Sequence, residues 1–477
     1  MSADQRDTPL AVRIALIALF TLAFVRGMSL VLHTPLLGLA NNYDQIRFSM
    51  CLDIAPYRPG VRADAGNAPA PLRLYSFQSV SDSCYWTSDL LLTAPLSWAW
   101  HASERFGGPP VHSIRKLGVL RVLVWCLIGA WAARAWMQAG SPVAALASLA
   151  ALAFVVFDPA NSLYFNSFYA EPAAVLGLYL CLASVPLALM RPGRGASLAV
   201  LLGACLLATS KIQHVALPAL LGFAVLASSC GKARTLTLLL CIGSMVGVAA
   251  TAANRHQSAG LMDGIATTNR GDFVLGPLLL NVDDPNGTAA CLGLSEACAA
   301  YASPAGVYRV PPPFERTCNG IKELSDVRAR LALLMQPTAL VRAVAQIPCK
   351  MLPWIPDYLG VVEGIDHGSL PASQPSLSSW FGSSAAMAAF LLFLPWLILF
   401  CALRLRANAA ARAYLAMCAA ASIGVPMVAL FGDGYFEFAK HAHLAFSCVL
   451  ASLCLASAWA ACRWLRPRQD AKTGGAS

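Results

Sequence analysis

The sequence predicts an all-α polytopic membrane protein with about ten transmembrane helices and two long loops on one side. Three observations predict it. The 477 residues are 57% hydrophobic and only 12% charged, against about 25% charged in a soluble domain. The mean hydropathy is +0.60, so the chain needs lipid as solvent over much of its surface. The basic residues also recur in alternate connections between apolar runs, the pattern that orients membrane proteins.

The apolar runs give spans near 10–32, 116–137, 141–157, 171–190, 196–210, 214–230, 235–253, 383–403, 412–431 and 442–462. Each is close to the length a helix needs to cross with its backbone bonds satisfied internally. The first run lacks a small-residue cleavage site and reads as a retained span. With the N-terminus cytoplasmic, the inside connections carry Arg134, Arg191, Arg194, Lys232, Arg234, Arg404, Arg406 and Arg412, and the tail adds Arg463, Arg466, Arg468 and Lys472. Of the 24 acidic residues only Asp4, Asp7 and Asp470 fall inside. The weakest point is the pair 196–210 and 214–230. Both are short, and were they one tilted helix every later connection would change sides.

The spans divide the chain into an N-terminal membrane module, 1–253, which contains a first outside loop at 33–115. A large outside loop domain follows at 254–380, and then C-terminal helices and a basic cytoplasmic tail at 381–477. Within the large loop, 325–350 carries arginines and leucines at helical spacing. It reads either as an amphipathic helix on the membrane surface or as an ordinary helix of a loop domain. The net charge of +10 is spread over short connections and forms no single patch, so no nucleic-acid partner is expected. Of 16 cysteines, six lie in the outside loops. Cys51 with Cys84 is the simplest disulfide, and Cys291, Cys298, Cys318 and Cys349 allow three pairings.

Polar groups beside a membrane are costly and need a reason. Five outside clusters hold them. The first, after span one, contains Asp44 and Arg47, with Asp53 following. The second runs from Asp158 through Tyr164, Asn166 and Tyr169 to Glu171, where Pro172 and Glu171 also make good helix-start chemistry. The third is Lys211, Gln213 and His214 between two short spans, suited to an anion or to snorkelling. The fourth contains Arg255 and Arg270, guanidiniums able to clamp a phosphate. The fifth contains Asp433, Glu437, Lys440 and His441. Such a mixture suits a reaction of a lipid-linked phosphate. Cations receive the leaving group, a carboxylate takes a hydroxyl proton, and aromatic and amide groups meet a sugar.

The stretch Tyr164-Phe165-Asn166-Ser167-Phe168-Tyr169-Ala170-Glu171, and the stretch from Gly432-Asp433-Gly434 to Lys440-His441, resemble motifs of bacterial glycan-biosynthesis hexose transferases. With the acidic motif after the first span and the late large loop, the chain resembles the GT-C superfamily of integral-membrane glycosyltransferases. The resemblance implies sugar transfer from a polyprenyl-phosphate donor to an extracytoplasmic glycan or lipid-linked acceptor. It places the protein in a bacterial inner membrane, with both termini cytoplasmic and the active site periplasmic. Asp44 would be the base, with Asp158 or Glu171 as the second acidic site. Lys211, His214, Arg255 or Arg270 would contact the lipid phosphate. The first loop reads Tyr43-Asp44-Gln45 where many members carry paired acids, which keeps Asp53 as a rival base. Some members use a divalent cation such as Mg or Mn, and no ligand cluster here decides the question. The competing classes are a flippase or transporter, and a polymerase, for lipid-linked glycans. Transporters favour polar residues at mid-membrane and internal repeats. The span centres here are Ala, Leu, Val and Phe, and no repeat is evident.

Overall fold

The computed structural model describes residues 10–40, 42–61, 68–82, 84–228, 233–356 and 359–464. Asp4, Asp7, Lys232, Arg466, Arg468, Asp470 and Lys472, used above, lie outside them.

All ten apolar runs form helices. They are α1 (Leu10–Val31), α4 (Arg115–Gln138), α5 (Pro142–Ala151, extended by a π turn at Leu152–Val156), α6 (Glu171–Met190), α7 (Arg194–Ser210), α8 (Leu217–Ser228), α9 (Ala233–Gln257), α13 (Ala385–Arg404), α14 (Ala409–Gly432) and α15 (His443–Trp464). Seven of these, among the described residues, are long and apolar enough to cross a membrane alone, and the α5 segment does so as one arm of a pair bent by 66°. The chain is therefore a multi-span helical membrane protein.

The doubtful pair resolves into two antiparallel helices. On α9, the residue sites Gly243 and Gly247 lie against Ala204 and Ala208 of α7, so α7 and α9 run the same way. Thr237 Oγ1 donates to Gly222 O at 2.9 Å and Ala219 N donates to Ser244 Oγ at 3.0 Å, so α8 runs the opposite way. The chain reverses at Lys211–His214, as two separate helices require. Small residues let these helices approach closely. A Cβ on Gly177 of α6 would stand 2.5 Å from Leu207 N and 2.7 Å from Gly203 O.

The first loop has structure that hydropathy does not reveal. It holds a short helix α2 (Asn42–Ser49), strands β1 (Ile54–Pro56), β2 (Leu74–Phe77) and β3 (His112–Ser113), and helix α3 (Leu90–Arg105). The strands form one antiparallel sheet in the order β1-β2-β3. The Cys51–Cys84 disulfide ties the end of α2 to the segment before α3. Ser88 Oγ donates to Leu206 O at 2.7 Å and fixes that segment to the end of α7. In the large loop Cys298 pairs with Cys318, and Cys291 and Cys349 are free and exposed. This loop contributes α10 (Ala259–Phe273), α11 (Asp326–Leu334) and α12 (Pro337–Ala345). Its buried residues, Phe273, Leu333 and Trp354 among them, join the same apolar core as the spans.

A side chain at Gly177 must push two helix backbones apart, and overpacking of this kind costs about 1–3 kcal/mol. Gly177→Val is expected to lower the melting temperature in detergent by several degrees, while Gly195→Val, where a Cβ meets nothing, leaves it unchanged. Differential scanning fluorimetry of the two variants checks this.

Candidate functional site

At the end of the bundle where α7 gives way to α8, a cavity of about 940 Å³ opens between the first loop, α10 and the segment after α14. Its walls include Asp44, Arg47, Lys211, Gln213, Asp272, Asp433, Glu437, Lys440 and His441. Local structure explains each placement. Asp44 lies in the first turn of α2 and Arg47 in its last, each favourable against the helix dipole. Lys211 and Gln213 sit on the reversal between α7 and α8, where extended backbone at Lys211 (φ −152°) ends the helix. Asp433 caps α14, and Glu437 (φ 50°) begins the short turn Phe438–His441. Gly434 (φ 71°) is required here, since a Cβ would stand 2.6 Å from Asp272 O of α10.

A buried lysine joins the two ends of the sequence. Lys440 pairs with Asp44 across 396 residues and with Glu437 at 2.7 Å. Its ammonium also lies 5.1 Å from the centre of the Tyr169 ring. Asp44 pairs in addition with Arg47. Deeper in, Lys211 pairs with Glu171, which is 1% exposed, and Gln213 Nε2 donates to Asp433. His441 Nε2 is 3.1 Å from Asp433 Oδ2, while His441 Nδ1 and Asp433 Oδ1 are buried with no protein partner.

The described walls carry five carboxylates, Asp44, Asp272, Glu315, Asp433 and Glu437, against three permanent cations, Arg47, Lys211 and Lys440. Protonation redresses that balance. Burial pushes Asp272 up to about 8 and Asp433 up to about 7, and raises Glu437 as well. Burial pushes on Asp44 in the same sense, but Lys440 and Arg47 more than offset it and hold the carboxyl well below the usual range. Burial, with Lys211 and Lys440 nearby, keeps His441 neutral. Among the described residues, no three His, Cys, Asp or Glu side chains converge as metal ligands.

A second cavity, of about 290 Å³, is lined by Ala216, Leu217, Leu220, Gly424, Val425, Val428, Ala429 and His214 from α8, α14 and the reversal. It is almost wholly apolar, and Gln213 and His441 stand in the walls of both cavities.

Of the residues expected at the site, Asp44, Arg47, Lys211, Gln213, Asp433, Glu437, Lys440 and His441 therefore come together, with Glu171 one contact behind Lys211 and His214 on the apolar side. The others have different occupations. Asp158 is fully buried and lines neither cavity. It caps Pro159–Ser162, accepts from Leu377 N at 2.7 Å and Ser376 Oγ at 3.1 Å, and lies 4.0 Å from Arg26. That corrects its expected catalytic role to one of holding two chain segments together. Asn166 donates to Val31 O and Leu37 O, and Tyr169 OH to Ala40 O at 2.8 Å. Tyr164 packs edge-on against Tyr169, and its carbonyl receives Arg121. This tyrosine-rich motif is a scaffold beneath the cavity: Asn166 Nδ2 and Tyr169 OH are spent on backbone carbonyls, while Tyr164 OH and Asn166 Oδ1 are buried with no protein partner. Asp53 is exposed in a left-handed turn whose carbonyl accepts from Gln78 N. Arg270 is occupied by Asp326 and by the carbonyls of Ile321 and Lys322. Arg255 is exposed and lines neither cavity. None of these three presents a group to the site.

Sequence reasoning passed over several lining residues. Thr268, Asn269 and Asp272 share one face of α10, with Gly260 and Gly264 on the same face. Tyr308 and Phe436 stack with centroids 4.1 Å apart and an interplanar angle of 20°. The four-residue spacing along α10 was a usable signal; the pairing of Tyr308 with Phe436 comes only from the tertiary fold.

Two outcomes test this electrostatic picture. Lys440→Met leaves Asp44 and Glu437 without their shared ammonium, and breaking a buried pair costs about 3–5 kcal/mol. The variant is expected to melt well below wild type, and Lys440→Arg to recover part of the loss. Asp272 has a raised pKa in the fold, so its contribution is complete below the ordinary carboxylate range and is lost as pH rises towards 8. Asp272→Asn should therefore gain melting temperature relative to wild type as pH goes from 4 to 8; a constant offset over that range would contradict the assignment.

Comparison with known proteins returns one match. The family model described as the YfdI N-terminal transmembrane domain matches residues 80–304, which run from the first loop through α4–α10. No curated protein and no solved structure matches the chain. The chain is thus similar, over somewhat less than half its length, to a transmembrane domain family.

Proposed function

We propose that this protein is a membrane glycosyltransferase that moves a sugar from a polyprenyl-phosphate donor to an extracytoplasmic glycan or lipid-linked acceptor. One observation carries the reading. A large cavity of carboxylates, cations and stacked aromatics and a smaller apolar cavity share the residues Gln213 and His441. A ligand with a sugar, a phosphate and a long hydrocarbon tail has the same three chemistries in the same order. The volume of about 940 Å³ lies at the upper end for small-molecule sites, so donor and acceptor groups fit together. The match to a transmembrane domain family supports the membrane frame of residues 80–304.

In this reading the isoprenoid enters beside Leu217, Leu220 and Val428. Its phosphate lies near Lys211, Gln213 and His441, and the sugar ring faces Tyr308 and Phe436. The acceptor hydroxyl attacks the anomeric carbon, and the bond from that carbon to the phosphate oxygen breaks. Polyprenyl phosphate leaves with the electron pair, its charge met by Lys211. The hydroxyl proton passes to a carboxylate, and attack opposite the leaving group inverts the anomeric centre. Asp44 is the base. Its cations, Lys440 and Arg47, hold it ionised and able to accept a proton. Asp433 is a second candidate because its pKa near 7 suits proton transfer at neutral pH and its Oδ1 is unpartnered. A flippase would use the same cavities without breaking a bond.

The reading is tested by incubating membranes that contain the protein, and supply the acceptor, with a set of polyprenyl-phosphate sugars and following sugar loss from the lipid by mass. Wild type is expected to release polyprenyl phosphate from one of them. Asp44→Asn should lower the rate by about 10²–10⁴-fold, the contribution of general-base catalysis. Full activity in that variant, with loss in Asp433→Asn, transfers the role to Asp433. Translocation of the intact lipid with no bond broken favours the flippase.

A further inference from the structure

We infer that the elbow formed by α11 and α12 is a membrane-docking surface, buried in the lipid leaflet at the site end of the bundle. Helix α11 has two apolar faces. Ala329 and Leu333 are fully buried against the body of the protein. Val327, Leu331, Leu334 and Met335 recur at i, i+4, i+7 and i+8, which places them on one other face. They are 67%, 50%, 47% and 80% exposed. Val341 of α12, 67% exposed, continues the apolar surface past the bend. Four large side chains in a row on one helix face are costly in water and mark an interaction site.

The position of the elbow identifies what covers it. Arg330 Nε donates to Phe431 O at 2.7 Å, at the last turn of the membrane span α14. Its guanidinium also lies 5.5 Å from the centre of the Phe273 ring. The turn Ile347–Lys350 that follows α12 packs against the span α13. Tyr435 OH, two residues beyond Asp433, donates to Ala343 O at 3.0 Å, and Lys350 lies over the Tyr435 ring at 5.5 Å. The elbow is therefore fastened where the spans end, at the boundary between hydrocarbon and headgroups. Asp326–Leu334 and Pro337–Lys350 are together apolar enough for a span, but they are bent by 95°. At about 1.5 Å per residue neither arm reaches across a hydrocarbon core of about 30 Å, so the elbow lies within one leaflet. The arginines beside the stripe hold the elbow to the body of the loop: Arg328 donates to Cys291 O at 2.5 Å, and Arg342 pairs with Asp283 at 2.6 Å. The lipid surface thus holds the same strut that contacts Tyr435 and the end of α14. The inference rests on the membrane-spanning fold and does not depend on the chemistry proposed above.

The full chain in lipid nanodiscs provides the test. Leu331→Cys and Met335→Cys are made separately in a background with Cys291, Cys349 and Cys401 changed to Ser, and are labelled with bimane maleimide. The background chain supplies the correction for other labelling. The expected result is blue-shifted emission at both sites, quenched several-fold more by brominated acyl chains than by aqueous iodide. Quenching mainly by iodide would show the stripe facing water and overturn the inference. Protection from both quenchers would show that protein covers it, a second copy or a partner, and would overturn it equally.

Discussion

A single ammonium group holds the site together. Lys440 is 2% exposed and lies between Asp44, from the first loop, and Glu437, from its own turn. Removing a charge of either sign from water is expensive, and only mutual pairing offsets it. The three groups therefore fix one another, and with them fix α2 against the segment that follows α14. The cavity is the space left between these two pieces and α10. Its carboxylates tolerate one another because burial keeps protons on Asp272 and on part of the Asp433 population near neutral pH.

Much of this was legible in the sequence, for physical reasons. A span must satisfy its own backbone in lipid, so its length and composition are tightly constrained, and all ten runs became helices. The short pair at 196–210 and 214–230 was ambiguous by length alone; packing of both against α9 settles it. The fold of the first loop was not legible. Its strands are two to four residues long, too short for alternation to show, and α3 is only mildly apolar.

For the site, the sequence could group polar residues between the apolar runs but not show which of them face each other. Asp44, Lys211, Asp433 and Lys440 were found because charge at a membrane boundary is unusual. The same reasoning overvalued Asp158, whose carboxylate is held by Leu377 N and Ser376 Oγ, and Asn166, whose amide nitrogen donates to Val31 O and Leu37 O, partners that only the tertiary structure supplies. Arg270 was overvalued in the same way. Asp272 was given no role, because nothing local distinguished it from its neighbours. What sets it apart is the approach of Gly434 and Val307 from distant parts of the chain.

The two helices that meet at the Lys211–His214 reversal are short. Helix α7 has 17 residues and α8, among the described residues, has 12, or about 25 Å and about 18 Å of rise, against a hydrocarbon core of about 30 Å. Lipid next to them must thin or tilt to avoid exposing hydrocarbon, at a cost of a fraction of a kcal/mol per ångström of mismatch. The dip this makes in the bilayer surface lies along the wall formed by Leu217 and Leu220. Headgroups there sit closer to the mid-plane, so on the proposed reading a lipid-linked donor entering sideways has less distance to climb to reach Gln213.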